Sequence, residues 1–205
     1  INYAKTFSDM AKSVEEVDSP DRIGEVVARA IRIAESGTPG PVVVALPTDV
    51  LAAESKSKTV TRRNATQVRP NDSDVADVAQ QIAKAQRPVM IVGGRIDSAE
   101  ARRALLAASE AWGIPVLPTY VHQDVFPNDH PNYAGELGIR PPDGVAETAR
   151  DADLIVAVGT KMGVGMATMN ERIPSARQKV IHVYPDEGAI GRHFDVELGV
   201  VADST

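Results

Sequence analysis

From residue 88 onward the chain repeats one arrangement. Short, mostly apolar runs alternate with longer segments whose apolar residues recur at helical spacing. Residues 89–92, 114–117, 154–158 and 180–183 are such runs, and 198–201 closes the series. A strand that is apolar at consecutive positions must be covered on both faces, which is the habit of parallel sheets. Before the first run, 73–85 carries Val75, Val78, Ala79, Ile82 and Ala83 on one helical face, and between the first two, 98–112 carries Ala101, Leu105, Ala108 and Trp112. Asp97 and Glu100 have capping-box spacing, and Gly113 stops the second helix. A shorter helix is predicted over 143–150. Strands alternating with helices predict an α/β fold, a doubly wound and mainly parallel Rossmann-like sheet with helices on both faces.

The first part of the chain reads differently. A helix is predicted over 20–36, with Ser19 as its cap, Pro20 in its first position and Gly37 as its stop. The apolar run 42–46 follows, clamped between Pro/Gly turns, and reads as a buried strand. Residues 52–70 are polar and lack a helical apolar face, which marks a linker. The organisation expected is therefore 1–51 as the end of one domain, 52–70 as linker and 71–205 as a second domain. An apolar strand whose domain is mostly missing would self-associate or be covered by the chain's own amino-terminal residues.

The formal charge of −6 argues against broad binding to a nucleic-acid backbone. The absence of cysteine excludes disulfides, thiolate metal sites and thiol nucleophiles, and fits a cytoplasmic setting. No apolar run approaches membrane-spanning length, and no signal peptide is visible. The chain begins at Ile1, as an excised fragment or a processed product would.

In a doubly wound sheet the ligand crevice lies at the carboxyl ends of the strands. Three segments are candidates there. Gly93, Gly94 and Arg95 follow the run 89–92; glycines admit close backbone approach, and Arg95 suits phosphate. The alternative is a plain strand-to-helix turn, where glycine serves geometry alone. Gly159, Thr160 and Lys161 follow 154–158. Gly163-x-Gly165 beyond them is half a dinucleotide fingerprint, displaced from the strand end. A helical turn is expected near 167–172. Asp186, after the run 180–183, could accept from ribose hydroxyls or simply form a turn. The histidines at 122, 130, 182 and 193 show no metal-ligand spacing, and no catalytic acid–base set is recognisable.

Taken together, the motifs resemble the thiamine-diphosphate-dependent enzymes of the acetolactate synthase and 2-oxo acid decarboxylase type. Gly37-Thr38-Pro39-Gly40-Pro41, the strand after it and Leu46-Pro47-Thr48-Asp49-Val50 look like the block closing that family's pyrimidine-binding domain. Arg87-Pro88 through Gly93-Gly94 looks like the first strand of its central domain. Trp112-Gly113-Ile114-Pro115-Val116, Phe126-Pro127-Asn128-Asp129-His130-Pro131 with Tyr133-Ala134-Gly135, Ala152-Asp153-Leu154, Lys179-Val180-Ile181-His182-Val183 and Ile190-Gly191-Arg192 follow in family order. The ordered set spans nearly the whole chain.

The resemblance implies a tail of the pyrimidine-binding domain plus the central domain. The parent would use thiamine diphosphate and Mg2+ for decarboxylation or carboligation of 2-oxo acids. It would be a homo-oligomer in which this region is mainly a scaffold beside the remaining domains. The family's Gly-Asp-Gly and Asn-rich diphosphate elements are not in this sequence, so the chain alone should be inactive. In some relatives the central domain binds FAD or an ADP moiety. This sequence departs from that pattern at Arg95, which replaces a glycine, at Tyr184 and at Thr160-Lys161. The alternative reading is a stand-alone Rossmann-like module for ADP, FAD or NAD.

Overall fold

The computed structural model describes residues 1–61, 66–163 and 173–204. It divides into two compact units, Ile1–Gln67 and Val68–Thr205, and that division lies within residues 52–70.

In the first unit, helix α1 (Tyr3–Phe7) precedes strand β1 (Ser13–Glu16), helix α2 (Ile23–Glu35), strand β2 (Val42–Ala45) and helix α3 (Thr48–Ala52). Strand β1 pairs in parallel with β2, Ser13 opposite Val42 and Glu16 opposite Ala45. Amino-terminal residues thus supply the partner of the apolar strand. Nothing in Ser13-Val14-Glu15-Glu16 announces a strand, because a four-residue polar segment acquires that state only from its neighbour. The expectation of two fully covered faces fails here: Val42, Val43 and Val44 are half-buried, and only Ala45 is buried. The predicted helix start also changes. Residues Pro20–Arg22 form a 3-10 turn before α2, and the Ser19 side chain makes no capping bond. At the other end Lys12 ties the turn together, its Nζ donating to the carbonyls of Ser36 at 2.6 Å and Thr38 at 2.9 Å.

The second unit runs α4 (Asp72–Lys84), β3 (Pro88–Val92), α5 (Ala99–Trp112), β4 (Val116–Pro118), α6 (Asp143–Asp151), β5 (Leu154–Val158), β6 (Lys179–Tyr184) and β7 (Leu198–Val201). The strands form one parallel sheet in the order β4-β3-β5-β6-β7. Alternate residues along each strand enter opposite layers. Met90, Val92, Val116, Val156 and Ile181 meet Ile82 of α4 and Ala101 and Leu105 of α5. On the other face Val89, Ile91, Leu117, Ile155, Ala157 and Val180 meet Ala149 of α6. Burying a side chain such as Ile91 or Ile155 contributes about 1.5–3 kcal/mol. The fold class read from the sequence is the observed one.

Local details differ. Helix α4 is capped by a reciprocal box in which the Asn71 side chain accepts from the Asp74 amide and Asp74 accepts from the Asn71 amide. Val75 and Ala83, assigned to its inner face, are exposed, leaving Ile82 as its buried anchor. The cap of α5 is Ser98, whose hydroxyl accepts from the Ala101 amide, rather than Asp97. Trp112 is 45% exposed, and Ser109, fully buried, takes the inner position instead. Gly113 ends the helix with φ of +62°, as expected. Strand β4 would be an open edge, but residues 132–134 lie along it: the Val116 amide donates to the Asn132 carbonyl and the Ala134 amide to the Val116 carbonyl.

Candidate functional site

The chain leaves β3 through α5 to β4 on one side, then crosses through α6 to β5 on the other. The carboxyl ends of β3 and β5 therefore form the topological switch point, where a ligand of such a sheet would sit. Gly93, Gly94 and Arg95 come from β3, and Gly159, Thr160 and Lys161 from β5. The fold brings these six together. Asp186 lies beyond the next strand, β6, where it caps a 3-10 turn by accepting from the Gly188 amide at 3.0 Å. Val164 onward through residue 172, with Gly165 and the expected helical turn at 167–172, lies outside the described residues.

The two loops close on each other. The Gly93 amide donates to the Val158 carbonyl at 3.1 Å and the Arg95 amide to the Gly159 carbonyl at 3.0 Å. A methyl group placed on Gly93 would lie 2.7 Å from the Thr160 Cβ and 2.8 Å from the Gly159 carbonyl oxygen. On Gly94 it would meet the His122 ring at 2.5 Å. Real Cβ contacts do not come that close. Protein atoms thus already occupy the side-chain position beside each glycine, the backbone and Cβ of the neighbouring loop at Gly93 and the His122 ring at Gly94. Gly159, at φ of +65°, needs its glycine for the turn itself.

Arg95 is the charge at the switch point. Its Nη1 donates to Asp97 at 2.9 Å, and its Nη2 lies 3.4 Å from Asp203 Oδ1. Asp203 in turn exchanges hydrogen bonds with Val68, accepting on Oδ2 from the Val68 amide at 2.8 Å. The buried Arg95 Nε has no hydrogen-bond partner among the described residues. An incoming anion would have to displace two carboxylates from this guanidinium. Neither Asp203 nor His122 was a sequence candidate. Asp203 lies 108 positions from Arg95 and His122 lies 28 positions from Gly94, and no spacing rule connects such distant partners.

Thr160 is buried, and its hydroxyl accepts from the Met162 amide at 3.3 Å. Its carbonyl accepts from His182 Nε2 at 2.8 Å. That bond fixes the proton on Nε2, so Nδ1 is free to accept from the Gly191 amide at 3.4 Å. Burial, only partly offset by the Thr160 bond, holds the His182 pKa below its ordinary value of 6.5. His182 is therefore a neutral structural pin. Lys161 is exposed at the rim. His130 is structural too: Nδ1 accepts from the Asn132 amide, and its ring stands edge-on to Phe126.

The described residues do not fit a diphosphate–Mg2+ site. Among them no group of three or more His, Asp or Glu side chains is placed to hold a metal ion. No helix among them is long and apolar enough to cross a membrane.

Comparison with known proteins points one way. A family model described as thiamine pyrophosphate enzyme, central domain, matches residues 75–205. An acetolactate synthase of Mycobacterium bovis is 32% identical over 192 residues, covering 91% of this chain and 31% of that protein. A glyoxylate carboligase of Escherichia coli O157:H7 is 29% identical over 204 residues, covering 98% of this chain and 34% of that protein. The chain thus spans about a third of the length of these curated relatives. In three dimensions it resembles a proposed thiamin diphosphate-dependent enzyme from Mycobacterium smegmatis, with a TM-score of 0.76 and 24% identity, over 95% of this chain and 37% of that one. At that identity the likeness concerns the fold.

Proposed function

The chain belongs to the thiamine pyrophosphate enzyme family, whose central domain it carries, and from that premise we propose that it serves its parent enzyme as a scaffold rather than as a nucleotide carrier. One observation carries the scaffold reading. The switch-point crevice is filled from within, by Thr160 and His122 against the glycines and by Asp97 and Asp203 on Arg95. Gly93, Gly94, Arg95, Gly159 and Thr160 then act in joining β3 to β5. The comparisons give no support to a stand-alone adenine-nucleotide module, and the filled crevice speaks against FAD or ADP at these glycines.

The parent, on this reading, acts on 2-oxo acids by decarboxylation or carboligation, as the names of the acetolactate synthase and glyoxylate carboligase relatives suggest. Residues 1–51 are the end of its pyrimidine-binding domain, 52–70 the linker and 71–205 the central domain. Thiamine diphosphate with Mg2+ supplies carbanion stabilisation when bound. Its ligands belong to other parts of the parent, since the residues described here do not fit it. The parent is a cytoplasmic homo-oligomer.

The test compares the full-length parent with the present chain in a 2-oxo acid consumption assay containing thiamine diphosphate and Mg2+. Turnover by the parent and none by the chain is expected; turnover by the chain alone overturns the scaffold reading. Calorimetry of the chain with FAD and NAD should give no heat. Binding that Lys161→Ala and Asp186→Ala abolish would restore the nucleotide reading.

A further inference from the structure

One open space among the described residues of the second unit lies at the end of the sheet opposite the filled crevice. A cavity of about 850 Å³ opens where β3, β5 and β6 begin. Arg87, Arg150 and Arg177 all line it, each from a different segment: the residue before β3, the last turn of α6 and the turn before β6. We propose that this cavity binds a small phosphate-bearing molecule.

The chemistry of the wall supports an anion. A helix carboxyl end normally presents bare carbonyls that repel anions. Here Gln178 covers them: its Nε2 donates to the carbonyls of Ala149 at 2.7 Å and Ala152 at 3.0 Å, with Arg150 at 3.4 Å. The carboxylate of Asp153, also on the wall, is engaged on both oxygens, accepting from the Gln86 amide at 2.7 Å and the Arg87 amide at 2.9 Å. Burial raises its pKa, and these amide bonds outweigh that and lower it. Its charge is thereby spread onto backbone dipoles. Asp151 is the other acid on the wall. Among the described residues none of the three arginines has a carboxylate oxygen within salt-bridge distance, although the Arg87 charge also helps to lower the Asp153 pKa.

Arg150 alone has an ordinary explanation, since a cation in the last helical turn favours the dipole. Arg87 and Arg177 do not sit on a helix. Three exposed arginines lining one concavity of a chain with net charge −6 are suited to oxyanions that accept paired hydrogen bonds.

The experiment is calorimetric titration of the whole chain with inorganic pyrophosphate, and separately with phosphate, at constant ionic strength. Saturable binding of pyrophosphate is expected. The double substitution Arg87→Gln/Arg177→Gln should weaken it by about ten-fold or more, while Arg103→Gln, an exposed arginine of α5, leaves it unchanged. Arg87→Lys/Arg177→Lys, which keeps the charge and loses the fork, should fall between. Melting curves verify that each variant is folded. Absence of binding to both anions, or an equal loss in Arg103→Gln, overturns the proposal.

Discussion

His182 donates from Nε2 to the Thr160 carbonyl across 2.8 Å, from a side chain only 2% exposed. Because Nδ1 simultaneously accepts from the Gly191 amide, the ring joins the loop after β5 to the loop after β6 only while it is neutral. Protonation would set an N–H against the Gly191 N–H. The sign of the linkage follows. The folded pKa lies below the unfolded value of 6.5, so the unfolded state takes up the proton first as pH falls. The contribution is complete above about pH 6.5 and is lost progressively toward the folded pKa. Denaturant unfolding at several pH values should show stability declining below that point. In His182→Gln, whose amide can still donate to Thr160, that part of the decline should vanish. An unchanged pH profile in the variant would mean that another group is responsible.

The glycines after β3 make a sharper comparison. A Cβ at Gly93 meets backbone and Cβ atoms of the neighbouring loop at 2.7–2.9 Å, and these cannot move independently of the sheet. A Cβ at Gly94 meets only the ring of His122, which is partly exposed and can turn away. Gly93→Ala should cost about 1–3 kcal/mol, as overpacking does, and Gly94→Ala clearly less. Thermal melts of the two variants decide this. Equal losses would show that the His122 ring is as firmly held as the backbone.

How much of this was legible in the chain depended on the range of the interaction. The parallel sheet was, because consecutive apolar residues at 89–92 and 154–158 have no other stable use than burial on both faces. So were the glycine positions, and the sheet order then places six of the candidate residues at one switch point. What the glycines do there was not legible. A glycine that admits a ligand and one that admits Thr160 look identical until the partner loop is in place. Strand β1 was hidden for a related reason, since Val42–Ala45 rather than its own composition makes it a strand. Trp112 misled because helical spacing identifies a stripe but not its end: the turn at Gly113 leaves the ring at the rim, and a serine three positions earlier packs inside.

Arg95 and Asp203 offer a test of the crevice's internal neutralisation. Asp203 both faces the guanidinium and holds Val68, its carboxylate accepting from the Val68 amide while its own amide donates to the Val68 carbonyl. Charge-assisted hydrogen bonds contribute about 1.5–3 kcal/mol each, and the 3.4 Å distance to Arg95 places that one at the weak end. Asp203→Ala should therefore destabilise mainly through Val68, with the Arg95 share small. A double-mutant cycle with Arg95→Ala should give a coupling of about 0.5–1 kcal/mol. Strict additivity would remove the ion pair from the account of why the crevice is closed.

Ser109 and Trp112 invert the usual ranking of core substitutions. The Ser109 hydroxyl donates to the Ile114 carbonyl at 2.8 Å and accepts from Asn132 Nδ2 at 3.0 Å, with no exposure to solvent. It thereby joins the end of α5 to the segment that covers the edge of β4. Ser109→Ala leaves the buried Ile114 carbonyl short of a partner and removes one of the two bonds that Asn132 Nδ2 makes, the other being to the Ser109 carbonyl, which costs about 1–3 kcal/mol. Trp112→Ala removes a far larger side chain, yet one already half in water, and should cost less than Ser109→Ala. Chemical denaturation of the two variants gives the ranking directly. Exchange of the Ala134 amide with deuterium adds a second readout, since loosening of residues 132–134 should accelerate it in Ser109→Ala and leave it slow in Trp112→Ala. A larger loss in Trp112→Ala would mean that the covered half of the ring contributes more than the two Ser109 hydrogen bonds.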